Sequence, residues 1–164
     1  MASFALFAAT ASAVSFLVAA GSAGPPVVQP VLFNHQVHVE GEGFACADCH
    51  PGCEEGVRPG LPDDETCAMC HSEPIGEGAE ERRLVAMIQS GAPLEWQPLF
   101  RQPPHIYFSH RRHVTVAGLE CAACHGGIGQ SQEPPQVLEA LRMDDCLDCH
   151  RRHGITESCT ACHR

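Results

Sequence analysis

The sequence predicts a mostly irregular chain with short α-helices, whose interior is filled by something other than side chains. One Trp, one Tyr and seven Phe in 164 residues supply too little large apolar surface for an ordinary enzyme core. The chain also has 15 Gly and 13 Pro, which favour turns over long regular elements. Twenty acidic residues outnumber ten arginines, there is no lysine, and the net charge is −10, which excludes a nucleic-acid binder.

The N-terminal segment predicts export of the rest of the chain. Residues 2–23 carry no charge and, at about 1.5 Å per residue, can span a membrane as one helix. Gly24, Pro25 and Pro26 then end that helix. We expect residues 1–24 to form a transmembrane anchor, or else a signal peptide that is cleaved after the small residues at 18–23. Either alternative places the remainder on the periplasmic, extracytoplasmic side.

Ten of the eleven cysteines form five Cys-x-x-Cys pairs, and a histidine follows every pair. We number these motifs sites 1 to 5: Cys46-Cys49-His50, Cys67-Cys70-His71, Cys121-Cys124-His125, Cys146-Cys149-His150 and Cys159-Cys162-His163. This is the c-type haem attachment pattern. Two cysteines one helical turn apart bond one porphyrin, and the next imidazole binds its iron. A zinc ribbon or a disulfide framework explains the pairs but not the five histidines.

The motifs therefore predict five covalently bound haem c groups, which replace a side-chain core. Cys53 is the one cysteine outside the pairs, and we assign it no role. The motifs are expected on short helical turns. We expect one longer helix over residues 80–90, where Leu84, Met87 and Ile88 share a face and Gly91 ends the helix. A second helix is expected over residues 137–143, and no strand.

An internal repeat divides the exported part into two modules. Residues 31–39 (VLFNHQVHV) resemble residues 106–114 (IYFSHRRHV), and both this segment and its first haem site recur after 75 residues. Each module thus opens with Phe-x-His-x-x-His. We expect a dihaem module over residues 25–78, a linker with a helix over 79–100, and a trihaem module over 101–164.

Six histidines outside the motifs are candidates for the second axial ligand of each iron. The repeat favours four of them, because imidazole is a common strong iron ligand: His35, His38, His110 and His113. The fifth iron is left with three candidates, His105, His153 and Met143. A methionine ligand would raise the potential of its haem.

These segments carry two family resemblances. Phe-x-His-x-x-His followed by Cys-x-x-Cys-His resembles the class III multihaem cytochromes, the c3 and c7 group. That resemblance implies a c3/c7-like fold with haems as its core. It also implies four ligand pairs: His35 with His50, His38 with His71, His110 with His125, and His113 with His150. Residues 104–110, 121–126 and 141–151 are similar to the pentahaem cytochrome subunits of alternative complex III and related menaquinone reductase complexes.

Closely packed haems form a chain of redox sites, which predicts an electron-transfer protein rather than an enzyme. The second resemblance implies a subunit of a membrane quinone-linked respiratory or photosynthetic complex that exchanges electrons with a periplasmic carrier. A free periplasmic electron shuttle and a multihaem reductase are the alternatives. The reductase is disfavoured, because the chain has no lysine ligand and six spare histidines leave no forced vacancy on five irons.

Charge suggests where a soluble carrier could bind. Residues 40–81 contain twelve acidic residues and one arginine. We expect this acidic region to attract a basic partner at low salt. The alternative is a solvated surface that keeps an exported protein soluble.

Overall fold

The computed structural model describes residues 26–100, 102–136 and 141–163, so the expected anchor over residues 1–24 lies outside the described residues. These ranges contain six α-helices, in chain order: α1 (Cys46–Cys49), α2 (Asp64–His71), α3 (Ala79–Ser90), α4 (Ala122–His125), α5 (Met143–Arg152) and α6 (Cys159–Cys162). Two π-helical turns (Val37–Gly41 and Arg112–Val116) and a 3₁₀ turn (Ile128–Gln130) complete the elements. No helix in these ranges is long and apolar enough to cross a membrane.

The described ranges are helical and irregular, as predicted, and contain no strand. One isolated antiparallel bridge joins Ile106 to His163. All five Cys-x-x-Cys motifs lie on α-helices, except that Cys121 is the residue directly before α4, and two motifs lie within the longer helices α2 and α5.

Helix α3 matches the longer helix that the sequence predicts. It begins at Ala79, one residue before the predicted start, and ends at Ser90. Gly91 has φ 68°, a left-handed conformation that glycine adopts without steric cost and that commonly ends a helix. Leu84 and Val85 are buried, and the helix packs against α2. This packing fixes the first turn of α3 beside the end of α2.

The helix predicted over residues 137–143 is wrong where it can be checked. Residues 137–140 lie outside the described ranges, but Arg142 is extended, with φ −86° and ψ 162°, and the helix begins only at Met143. The cause is a local cap, because the Asp145 carboxylate accepts a hydrogen bond from the Arg142 N–H at 2.7 Å. A side-chain acceptor at this position satisfies a backbone donor that the helix leaves free.

The sequence repeat is also a structural repeat. The two π-helical turns start 75 residues apart, at Val37 and Arg112. In each copy a phenylalanine ring stacks on the second histidine of the segment, with ring centroids 4.4 Å apart for both Phe33–His38 and Phe108–His113. Single π-helical turns frequently mark functional sites. The second histidine of the repeat, His38 in one copy and His113 in the other, therefore has the same local structure in both copies.

Each copy of the repeat contacts the loop that follows the first haem site of the other half. The Val57 carbonyl, in the loop after site 1, accepts a hydrogen bond from the His110 N–H at 3.3 Å. In the other direction, the Ser131 carbonyl, in the loop after site 3, accepts one from the Gln36 N–H at 3.1 Å. Sites 1 and 3 are thereby held side by side.

The polypeptide supplies only a small hydrophobic interior. Among the described residues, the buried apolar side chains are Val31, Leu84 and Val85, and no large side chain is fully buried. Many large apolar residues are exposed, Phe44 and Tyr107 among them. This distribution fits the prediction that the interior is not made of side chains.

Candidate functional site

Each attachment motif closes a helical turn. The histidine N–H donates to the carbonyl of the first cysteine in three motifs: His50 to Cys46 at 2.9 Å, His125 to Cys121 at 2.9 Å and His163 to Cys159 at 2.8 Å. Residues three and four apart share a face of a helix. Both sulfurs and the imidazole of a motif therefore start from one side of its helical turn.

The structure brings a histidine from outside the motifs beside a motif histidine at four of the five sites. Four pairs have measured ring-centroid separations: His38–His71 at 6.1 Å, His105–His163 at 5.7 Å, His110–His125 at 6.4 Å and His113–His150 at 6.3 Å. At site 1, burial and then the charge of His50 lower the pKa of His35.

These separations fit one iron between two imidazoles. A metal–imidazole bond is about 2.0 Å long, and the ring centre lies about 1 Å beyond the nitrogen, so two axial rings are about 6 Å apart. The observed range is 5.7 to 6.4 Å. A zinc ribbon needs more ligands, and in the described ranges no three His, Cys, Asp or Glu side chains converge. None of the cysteines is paired in a disulfide.

Comparison with known proteins agrees with this geometry. No family model matches the sequence. The chain is 33% identical over 157 residues to the "Menaquinone reductase, multiheme cytochrome c subunit" of Nitratidesulfovibrio vulgaris (strain Hildenborough), and the alignment covers 82% of this chain and 74% of that protein. The chain belongs to the multihaem cytochrome c family. It is therefore a c-type haem protein of electron transport. The relationship extends to multihaem cytochromes c in general and does not single out class III.

Hydrogen bonds at Nδ1 orient most of the cytochrome's paired histidines. Five rings place Nδ1 against a backbone carbonyl: His38 at Asn34 (2.8 Å), His50 at Gly60 (3.0 Å), His110 at Val57 (3.2 Å), His113 at Ser109 (2.9 Å) and His150 at Thr156 (3.0 Å). A carbonyl can only accept, so Nδ1 carries the proton and Nε2 keeps a free lone pair. That tautomer is the one that binds a metal through Nε2.

Site 1 uses a hydroxyl for the same purpose. His35 Nδ1 lies 3.1 Å from Ser131 Oγ, which itself donates to the Ile128 carbonyl at 2.8 Å. Because the hydroxyl proton is engaged there, the oxygen accepts from the His35 N–H. Ser131 comes from the loop after site 3, so a residue of the trihaem module orients a histidine of the dihaem module.

Site 2 differs, because a carboxylate faces its motif histidine. His71 Nδ1 is 3.3 Å from Oε1 of Glu81, and the two side chains are 20% and 16% exposed. The contact lacks hydrogen-bond alignment, and this buried nitrogen has no other partner. Hydrogen bonds from the Ile75 and Gly76 N–H groups, and then His71, lower the pKa of Glu81, so the carboxylate is ionised at neutral pH.

Burial adjusts the charge of the ligands in a way that suits haem. It lowers the pKa of His125, with further contributions from the charges of His110 and His50, so the ring is neutral and able to bind iron. It also raises the pKa of the Cys67 thiol to about 11. Such a thiol is protonated at neutral pH.

The three candidates for the fifth iron separate in the structure. His105 lies against His163, whose ring is the partner at site 5. Met143 is 59% exposed at the first residue of α5, and His153 is exposed directly after that helix. Neither Met143 nor His153 stacks on a motif histidine, as His105 does on His163. Cys53 is half-buried, and burial, followed by the charges of Glu54 and Cys121, raises its pKa; no role follows from this position.

Sequence reasoning missed the residues that support the ligands. Ser131 lies 96 residues from His35, and Glu81 lies ten residues after His71 on a different helix. No local motif marks either contact. The 75-residue repeat could have suggested that the two halves contact each other, but not which side chains do so.

Proposed function

We propose that this cytochrome carries electrons along five haem c groups, each with two axial histidines. The observation that carries the proposal is that four of the five motif histidines have a second histidine beside them: His38 at site 2, His110 at site 3, His113 at site 4 and His105 at site 5. The repeat assigns His35 to site 1, because it occupies the position in the first copy that His110 occupies in the second. Haem supplies the one-electron chemistry, and the protein supplies ligation, spacing and electrostatics.

The arrangement of the ligands supports a continuous path for electrons. His35 and His38 are three residues apart and serve neighbouring sites 1 and 2, as His110 and His113 do for sites 3 and 4. The reciprocal contacts described above join site 1 to site 3, and the charge of His50 acts on His125 across that junction. His105 precedes His110 by five residues and so connects site 5 to the same segment.

Two axial histidines on every iron favour electron transfer over catalysis. A reductase needs an iron with an open or displaceable position for its substrate. In this proposal none of the five sites offers one. The cytochrome therefore works as an electron-transfer protein and not as an enzyme in its own right.

The named relative supports a place in a quinone-linked membrane complex. That protein is a subunit of a menaquinone reductase. The cytochrome belongs, in this proposal, on the periplasmic side of such a complex, attached through residues 1–24, and exchanges electrons with a periplasmic carrier. The acidic stretch over residues 40–81 provides a surface for a basic carrier.

Mass and spin state test the haem proposal directly. The intact mass of the purified full chain should exceed that of the polypeptide by five haems, and should show whether residues 1–24 are retained. Electron paramagnetic resonance (EPR) of the oxidised protein should show only low-spin iron, and the reduced protein should not bind carbon monoxide stoichiometrically. Fewer than five haems, or one high-spin iron per chain, contradicts the proposal.

Membrane fractions test the partner. Quinol added to membranes that contain the cytochrome should reduce its haems, and gentle detergent extraction should release it with other subunits. A cytochrome found only in the soluble periplasmic fraction, and not reduced by quinol in the presence of membranes, indicates the free shuttle instead.

A further inference from the structure

A single acidic side chain is placed against the motif histidine of site 2. Oε1 of Glu81 lies 3.3 Å from Nδ1 of His71, the ring nitrogen that does not face the haem in the proposed ligation. Both side chains are mostly shielded from water, at 16% and 20% exposure. Screening of the carboxylate charge is therefore weaker than at an open surface.

The carboxylate is held in place by the backbone. The N–H of Ile75 donates to Oε1 of Glu81 at 2.6 Å, and the N–H of Gly76 donates to both carboxylate oxygens, at 3.0 and 2.9 Å. A Cβ on Gly76 would lie 2.8 Å from Oε2 of Glu81, so the glycine leaves room for this close approach. The position of the charge is thus determined by the loop between α2 and α3.

Six of the other histidines have neutral acceptors. Nδ1 of His38, His50, His110, His113 and His150 faces backbone carbonyls, and that of His35 faces a hydroxyl. Throughout the three described ranges, His71 is the one histidine with a carboxylate within 4 Å. Site 2 therefore differs from the rest in the charge behind its ligand.

A fixed negative charge behind an axial imidazole favours ferric over ferrous iron. The negative charge lies 3.3 Å from the ring that binds the iron, and its Coulomb attraction stabilises the additional positive charge of Fe(III) over Fe(II). We propose that Glu81 is a positioning residue that acts through His71 to lower the reduction potential of the site 2 haem relative to the other haems. This inference rests on the proposed haem ligation and goes beyond it.

The test is a redox titration of the full-length, haem-loaded Glu81→Gln variant. Glutamine keeps a side-chain oxygen that can accept from Ile75 and Gly76, but it removes the charge. We expect about a tenfold fall in the ratio of oxidised to reduced iron at a fixed potential for one haem, which is a rise of about 59 mV in its potential. The other four haems should keep their potentials.

A matched control separates this contact from general charge. Glu77→Gln removes the same charge four residues away, from an exposed side chain. It should leave all potentials nearly unchanged. Gly76→Ala keeps the charge but displaces the carboxylate, and should raise the same single potential. The affected haem is identifiable by EPR, because the His38 and His71 ring planes cross at 54°, against 9 to 23° in the other three measured pairs.

Three results would overturn the proposal. These are unchanged potentials in Glu81→Gln, equal shifts in Glu81→Gln and Glu77→Gln, and a shift confined to a haem with nearly parallel ligand rings. Each is distinguishable from failure of the proposed function, because the haem count and the spin state are measured on the same samples. A wild-type protein with five low-spin haems and an insensitive site 2 rejects the role of Glu81 alone.

Discussion

Replacing His105 tests the ligand pair that sequence alone left open. The His105→Ala variant removes an imidazole whose centroid is 5.7 Å from that of His163, with ring planes 17° apart. The backbone around it has its own support. Ile106 forms the bridge with His163, and the Tyr107 N–H donates to the Cys162 carbonyl at 2.7 Å. The variant should therefore lose a ligand without losing the local fold.

The size of the effect follows from the number of sites. With five attachment motifs, the loss of one distal ligand converts one iron in five to the high-spin, five-coordinate form. The reduced variant should then bind one carbon monoxide per chain, and the wild type none. The other four irons keep both histidines and stay low-spin.

The assay is quantitative EPR of the oxidised protein together with carbon monoxide titration of the reduced protein. The matched control is His153→Ala, which removes an exposed histidine outside the ring pairs and should leave all iron low-spin. Met143→Ala serves the same purpose for the third candidate. The reasoning is refuted when either of these two variants, and not His105→Ala, produces the high-spin iron.

Three further substitutions probe the framework around the haems. Leu84→Ala removes a buried side chain of α3 and should lower the free energy of unfolding by about 2–5 kcal/mol in denaturant titrations of the haem-loaded protein. The control Ala86→Gly changes an exposed position on the same helix and should lower it by only about 1 kcal/mol. Ser131→Ala removes the hydroxyl that accepts from His35, and should change the EPR signal of one low-spin haem while the haem count stays at five. Asp63 accepts hydrogen bonds from Thr66 at the start of α2, which lower its pKa below the usual 3.8. The ionised Asp63 carboxylate therefore stabilises the folded protein above pH 3.8, and this stabilisation is lost as the pH falls through the lower pKa that Asp63 has in the folded protein. Asp63→Ala should be less stable than wild type at neutral pH, and the difference should disappear in acid.

The parts of the cytochrome that could be predicted from sequence are those set by local chemistry. Covalent attachment requires two cysteines and a histidine within five residues, so the sites are visible in the sequence. Helix α3 was predictable because its signals are also local: Leu84 and its helical neighbours mark the buried face, and Gly91 marks the end of the helix. The haems themselves explain why Val31, Leu84 and Val85 can be the only buried apolar side chains of the described ranges.

The parts that escaped prediction depend on contacts between distant segments or on competing local bonds. His105 and His163 are 58 residues apart and meet through a single backbone bridge, which has no periodic signature. The helix expected over residues 137–143 does not include Arg142, because the Asp145 carboxylate caps α5 there and the helix begins at Met143. Contacts of this kind depend on the assembled backbone and leave no recognisable pattern in short stretches of sequence.

The reciprocal hydrogen bonds between the two halves bear on how this molecule could be divided. Val57 supports His110, and Ser131 supports His35, so each half orients a ligand that belongs to the other. A cut within residues 79–100 would produce two fragments, each without the hydrogen-bond acceptor of one of its histidines: the first would lack Ser131 for His35, and the second would lack Val57 for His110. Maturation is thus expected to be cooperative, with neither fragment a self-sufficient cytochrome and both regaining their spectra only when they are expressed together.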